Sequence, residues 1–164
     1  MTQAHITYTT TQTTPELYKT ELHKMAALQH AERLIYIVED DKANNFLCKT
    51  TLQEVGFNNI IPFYRADTAL EDLKNKDANE KAFPALILLD INMPAMDGWG
   101  FLNEYRKFST QSKQHTSILL FSTSNHPTDI AKAKGYPEVT GFLEKPITEE
   151  AANWLKEKNI GVSA

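Results

Sequence analysis

Cysteine is almost missing from this sequence. Cys48 is the single example, which excludes an internal disulfide and fits a reducing compartment. An excess of basic charge is missing too. The formal net charge is -4, so no electrostatic pull toward nucleic acid or an anionic membrane is expected. No apolar run approaches the roughly 20 residues that a membrane-spanning helix needs. The N-terminal stretch has no apolar core of the kind a secretion signal carries. His5, His23, His30, His115 and His126 show no metal-ligand spacing. These absences lead us to expect a cytoplasmic protein that binds neither nucleic acid nor membrane.

What is present is a 41% apolar fraction in 164 residues, enough for one domain with a core. Residues 1–32 read as an extension. Its start, MTQAHITYTTTQTT, is threonine-rich with little to bury, and is expected to be disordered. TTPELYKTELHKMAALQHAE then reads as a helix, with Thr14 as cap, Pro15 in the first turn and Glu16 at the positive end of the dipole. Residues 33–160 read as the folded domain and 161–164 as a tail.

Within the domain, short apolar runs alternate with helical patterns. RLIYIV, NIIPFYR, ALILL, SILLF and TGFLE read as strands. Pro62 suggests that the second lies at an edge. KANNFLCKTTLQEV reads as a helix with Leu47, Cys48, Thr51, Leu52 and Val55 on its buried face, stopped by Gly56. DTALEDLKNK, WGFLNEYRKF, PTDIAKAK and TEEAANWLKEK supply four more. Five strand–helix alternations predict an α/β fold with a parallel sheet covered on both faces. Right-handed crossovers would bring all strand C-termini to one edge, where ligand sites of open α/β sheets lie.

Those termini carry chemistry. The first strand runs into Glu39, Asp40 and Asp41, the third ends at Asp90, and the fourth reaches Ser122, Thr123 and Ser124. Lys145 and Pro146 follow the fifth. Buried carboxylates need compensation. A divalent cation and an ammonium would provide it, and clustered carboxylates beside a backbone carbonyl suit Mg²⁺. A carboxylate can also act as a nucleophile toward phosphorus.

The stretches IYIVEDD, LILLDINMPAMDG, LLFSTS and GFLEKP, in that order, resemble the signatures of response-regulator receiver domains of two-component signalling. The resemblance covers about Leu34 to Asn159. It implies a flavodoxin-like doubly wound sheet of order 2-1-3-4-5, in a stand-alone receiver similar to the chemotaxis regulators. It implies roles as well. Asp90 is the phosphoacceptor. Asp40 holds Mg²⁺ directly, Glu39 acts through water, and the Asn92 carbonyl completes the protein ligands. Ser122 is the switch hydroxyl, Phe142 the switch aromatic and Lys145 the phosphate-contacting lysine. A cis Lys145–Pro146 bond is implied, with Pro94 and Gly98 shaping the loop after Asp90. The side chains of Asn92 and Ser124 occupy positions that tune phosphoryl lifetime. The approach AKAKGYPEVTGF, with Tyr136 and Pro137, departs from the usual pattern, and the switch aromatic lacks a hydroxyl.

The function expected is therefore phosphoryl transfer from a histidine kinase or histidine phosphotransfer protein to Asp90, read by a downstream effector protein. The chain would be a monomer or weak dimer. It would not be an enzyme beyond its own Mg²⁺-dependent phosphorylation and slow dephosphorylation. Phe46, facing outward beside the acidic site, is a candidate docking residue. Asp41 reads as a solvated residue or one that helps begin the first helix, Asp97 as turn chemistry and the next helix's cap, Cys48 as an inert core thiol, and Trp99 and Trp154 as packing residues. Two other readings stay open at this level. One is a phosphorylation-independent scaffold with the same fold. The other is an aspartyl-nucleophile phosphatase, which lacks a second carboxylate at Asn92.

Overall fold

The computed structural model describes residues 32–79, 81–123 and 126–158. The expected N-terminal helix before Glu32, Ser124 and the 161–164 tail fall outside them. The described elements are β1 (Ile35–Val38), α1 (Lys42–Glu54), β2 (Ile60–Phe63), α2 (Ala66–Ala78), β3 (Leu86–Asp90), α3 (Gly98–Tyr105), α4 (Thr110–Lys113), β4 (Ser117–Ser122), α5 (Pro127–Ala133), β5 (Val139–Glu144) and α6 (Glu149–Glu157). The strands form one sheet of order β2-β1-β3-β4-β5, with every pairing parallel. This is the flavodoxin-like arrangement that the sequence predicts. Pro62 lies on edge strand β2 as expected.

The two-residue period of a strand sends alternate side chains to opposite faces. Along β1, Tyr36 and Val38 enter one core, while Ile35 and Ile37 enter the other. Helices α2 and α3 cover the first core with Ala66, Ala69, Leu73, Phe101, Leu102 and Tyr105. Helices α1 and α6 cover the second with Cys48, Leu52, Ala152 and Leu155. The central strand β3 is buried throughout, which is why it reads as an unbroken apolar run. Among the described residues, no helix is long and apolar enough to cross a membrane.

Local chemistry sets the helix ends. Asp41 caps α1 by accepting from the Asn44 amide at 2.9 Å. Asp97 caps α3 by accepting from the Gly100 amide at 2.7 Å. Both act as the sequence suggests. Gly56 follows α1 at φ 101°, a conformation that disfavours a side chain. Gly98 is required for a different reason. A Cβ there would sit 2.6 Å from the Asp90 carbonyl oxygen and 3.0 Å from Ile91 Cα. Its amide donates to the Ile91 carbonyl at 2.9 Å. Helix α3 is thus seated directly on the end of β3.

Five details differ from the sequence reading. Leu47 is not on the buried face: it is exposed, and Asn45 takes the inward place with Cys48, Thr51 and Leu52. The apolar stripe of α1 is narrower than its composition suggests, because a polar residue occupies the turn nearest the strand ends. Trp154 is exposed, since α6 buries Ala152 and Leu155 instead; Trp99 is buried as expected. Helix α3 stops at Tyr105, where i+3 bonds such as Phe108 N to Tyr105 O at 3.1 Å tighten the chain into a turn. Helix α4 is unanticipated: Ser109 caps it, accepting from the Ser112 amide at 3.1 Å. The Ser109 and Ser112 hydroxyls also donate to Asp77 at 3.0 and 2.5 Å. These bonds hold the last turn of α2, which runs past its expected end.

Burial pushes the Cys48 thiol up to about 12 from an ordinary 9.0; the Glu39 charge adds to the rise and Lys145 opposes it. A thiol raised in the folded state contributes stability that is complete below the unfolded value and is lost as pH climbs to the folded one. Unfolding free energy should therefore fall between about pH 9 and 12, and less steeply in Cys48→Ala. At pH 8, iodoacetamide should label native Cys48 only at the rate of global opening. Rapid labelling of the native protein would contradict this burial.

Candidate functional site

The C-terminal edge of the sheet gathers acid from two adjacent strands. Beyond the last β1–β2 rung, the Glu39 amide donates to the Phe63 carbonyl at 3.0 Å. Glu39 is 1% exposed, and its Oε1 accepts from the Asp41 amide at 3.0 Å. Asp40 follows, half-buried. Next door, Asp90 closes β3 at 5% exposure and accepts from the Asn92 amide at 3.2 Å through Oδ1. Among the described residues, Glu39, Asp40 and Asp90 alone offer three acidic ligand oxygens within 4.8 Å of one another.

One ammonium answers them. Lys145 Nζ lies 2.9 Å from Asp90 Oδ1 and forms an ion pair with Glu39 Oε2. The Lys145 side chain is 7% exposed and crosses the Phe121 ring, 5.2 Å from its centroid. Its backbone amide donates to the Ser122 carbonyl at 2.8 Å, which joins the end of β5 to the end of β4. The Lys145–Pro146 bond is cis, as the resemblance implies. Desolvation raises the Glu39 carboxyl above its usual range; the Lys145 contact opposes that rise, and the Asp90 charge reinforces it. Three carboxylates against one ammonium leave an excess of two negative charges, which matches the charge of a divalent cation.

The cleft above this cluster holds about 220 Å³. Glu39, Asp40, Asp90, Asn92 and Lys145, all singled out in the sequence, line it together. Asp41, Asn44 and Thr123 line it as well. Asn44 was missed; its only signal was its place one helical turn beyond the acidic pair. Ser122, the expected switch hydroxyl, lies buried at the end of β4, one residue before the cleft-lining Thr123. Phe142 is half-buried on β5, packed against the first core. Phe46 is 71% exposed on α1. Larger clefts, about 510 and 620 Å³, lie near Phe83 and His115 and between α2 and α3. Neither holds a comparable carboxylate cluster.

Comparison with known proteins agrees with this geometry. A two-component response regulator from Cytophaga hutchinsonii superposes with a TM-score of 0.69 at 28% identity, over 77% of this chain and 95% of that one. The probable methanogenesis regulatory protein FilR2 of Methanothrix harundinacea is 25% identical over 118 residues, 71% of this chain and 74% of its own length. The sensor histidine kinase CheAY of Helicobacter pylori is 24% identical over 131 residues, 79% of this chain but 15% of that protein. The model of the response regulator receiver domain matches residues 35–153. With the parallel 2-1-3-4-5 sheet and the acid–lysine cluster at its C-terminal edge, this match establishes that the chain belongs to the response regulator receiver domain family.

Proposed function

We propose that the protein accepts a phosphoryl group on Asp90 and signals through phosphorylation-dependent contact with other proteins. The observation that carries this reading is the buried Asp90 carboxylate, set beside Glu39 and Asp40 and held 2.9 Å from the Lys145 ammonium. The donor would be the phosphohistidine of a histidine kinase or phosphotransfer protein. An Asp90 carboxylate oxygen attacks phosphorus, and the phosphorus–nitrogen bond of the donor breaks. The imidazole keeps the electron pair and takes up a proton. The product is an acyl phosphate on Asp90.

Asp40, Asp90, Glu39 through water and the Asn92 carbonyl would hold Mg²⁺, which when bound offsets charge on the phosphoryl oxygens. Lys145 neutralises a further share of that charge. Ser122, at the end of the adjacent strand, would hydrogen-bond the phosphoryl group, and Phe142 on β5 would move inward with it. A phosphoryl group adds about -1.5 to -2 charges and strong acceptor oxygens. That is enough to bias a two-state element at the sheet edge. Exposed Ile130 on α5 and Trp154 on α6, with Phe142 between them on β5, would present the effector face. Phe46, two residues along α1 from the cleft-lining Asn44, would meet the phosphodonor.

Two experiments test this. Incubation with Mg²⁺ and acetyl phosphate should add one phosphoryl group by intact mass, and none in Asp90→Asn or with chelator. No addition under conditions that label a known receiver, together with no response to beryllofluoride, would leave a scaffold. Phe46→Ala should slow transfer from the kinase about tenfold while leaving acetyl phosphate labelling unchanged, because truncating an exposed aromatic anchor weakens docking rather than chemistry. Unchanged kinase transfer would remove Phe46 from the docking surface.

A further inference from the structure

Asn45 is a polar residue in a place made for an apolar one. It is 1% exposed, on the face of α1 that also buries Cys48 and Leu52. Its Nδ2 donates to the Glu39 carbonyl at 3.0 Å and to the Phe63 carbonyl at 3.3 Å. Both partners are acceptors, so only the NH₂ end of the amide can face them. Its Oδ1 is buried without a hydrogen-bond partner. The side chain therefore serves through its two donors.

The position of those donors matters. Strand β1 ends at Val38 and β2 at Phe63. Past that point the Glu39 amide still donates to the Phe63 carbonyl, at 3.0 Å. Asn45 completes the ring by bonding the same Phe63 carbonyl and the Glu39 carbonyl. The Glu39 residue is thus held at both its N–H and its C=O. Its C=O belongs to the peptide that joins Glu39 to Asp40. Fixing that peptide fixes the directions in which the acidic pair leaves the backbone. The same helical turn is anchored at its start, where the Asn45 amide donates to the Asp41 carbonyl at 2.9 Å.

We infer that Asn45 is a positioning residue for divalent-cation binding, acting through the Glu39–Asp40 peptide; this rests on the receiver reading above. It touches neither the ion nor the phosphoryl group. Partners that orient metal ligands from behind alter affinity by about 10- to 100-fold when removed.

The test is calorimetric titration with Mg²⁺ alone on wild type, Asn45→Ala and Asn45→Leu, with circular dichroism and thermal melting of each. Leucine refills the buried volume without donors, so it keeps the test open if the alanine variant does not fold. The expected result is an affinity loss of about tenfold or more in a folded variant. Labelling by acetyl phosphate at saturating Mg²⁺ should then return to the wild-type extent. Folded variants that bind Mg²⁺ within about twofold of wild type, even with lowered melting temperatures, would overturn the inference and leave a purely structural asparagine. Labelling that stays depressed at saturating Mg²⁺ would overturn it as well, because the defect would not be in ion affinity. If wild type itself binds no Mg²⁺, the receiver reading fails and the inference with it. That outcome differs from variants that match a binding wild type.

Discussion

The Lys145 ammonium between Glu39 and Asp90 is the contact on which the site depends. Two carboxylates at 1% and 5% exposure repel each other, and burying them side by side is costly without a counter-charge. The lysine supplies one unit against three, so two negative charges stay unbalanced. That shortfall makes the edge of the sheet a place that could hold a cation. Removing the lysine alone would strand two buried charges, a far larger loss than deleting a surface ion pair.

The fold exists in a form that maintains this contact. Glu39 and Lys145 are more than a hundred residues apart in sequence, yet they meet because the strands that carry them are parallel and separated by β3 and β4. Backbone bonds from Glu39 to Phe63 and from Lys145 to Ser122 extend the sheet one step past its regular end. Gly98 lets α3 rest on the Asp90 peptide without a side chain between them. Farther out, Trp99 lies beneath Lys132 of α5, 4.5 Å from the ring centroid, and meets the Tyr136 ring at a tilt, 5.4 Å between centroids. Arg106 covers Tyr136 and bonds the Gly135 carbonyl at 3.0 Å. The segment AKAKGYPEVTGF is therefore braced against α3 and the residue that follows it.

Much of this was legible because buried parallel strands write themselves as apolar runs, and an acid that ends such a run stands out. Asp90 after LILL and Glu39 after IYIV are visible for that reason. Lys145 is visible only with Pro146 and the preceding strand, since an isolated lysine reads as surface. Asn45 was not legible. Its burial depends on where β1 and β2 end relative to α1, a tertiary fact without local trace. Leu47 was misread for the complementary reason: helical periodicity counts apolar residues, and here an asparagine holds the inward position. Helix α4 escaped notice because Ser109 and Ser112 act partly through Asp77, which lies on another helix. Trp154 looks like core by composition, but the inward face of α6 carries Ala152 and Leu155, with Ala151 packed beside them.

The most direct test of the central claim is to locate the phosphoryl group among the three clustered carboxylates. Borohydride reduces an acyl phosphate of aspartate to homoserine, and peptide mapping then assigns the residue. The account predicts homoserine at position 90 and unaltered acids at 39 and 40. Reduction at Asp40, or at Glu39, with Asp90 intact would contradict it.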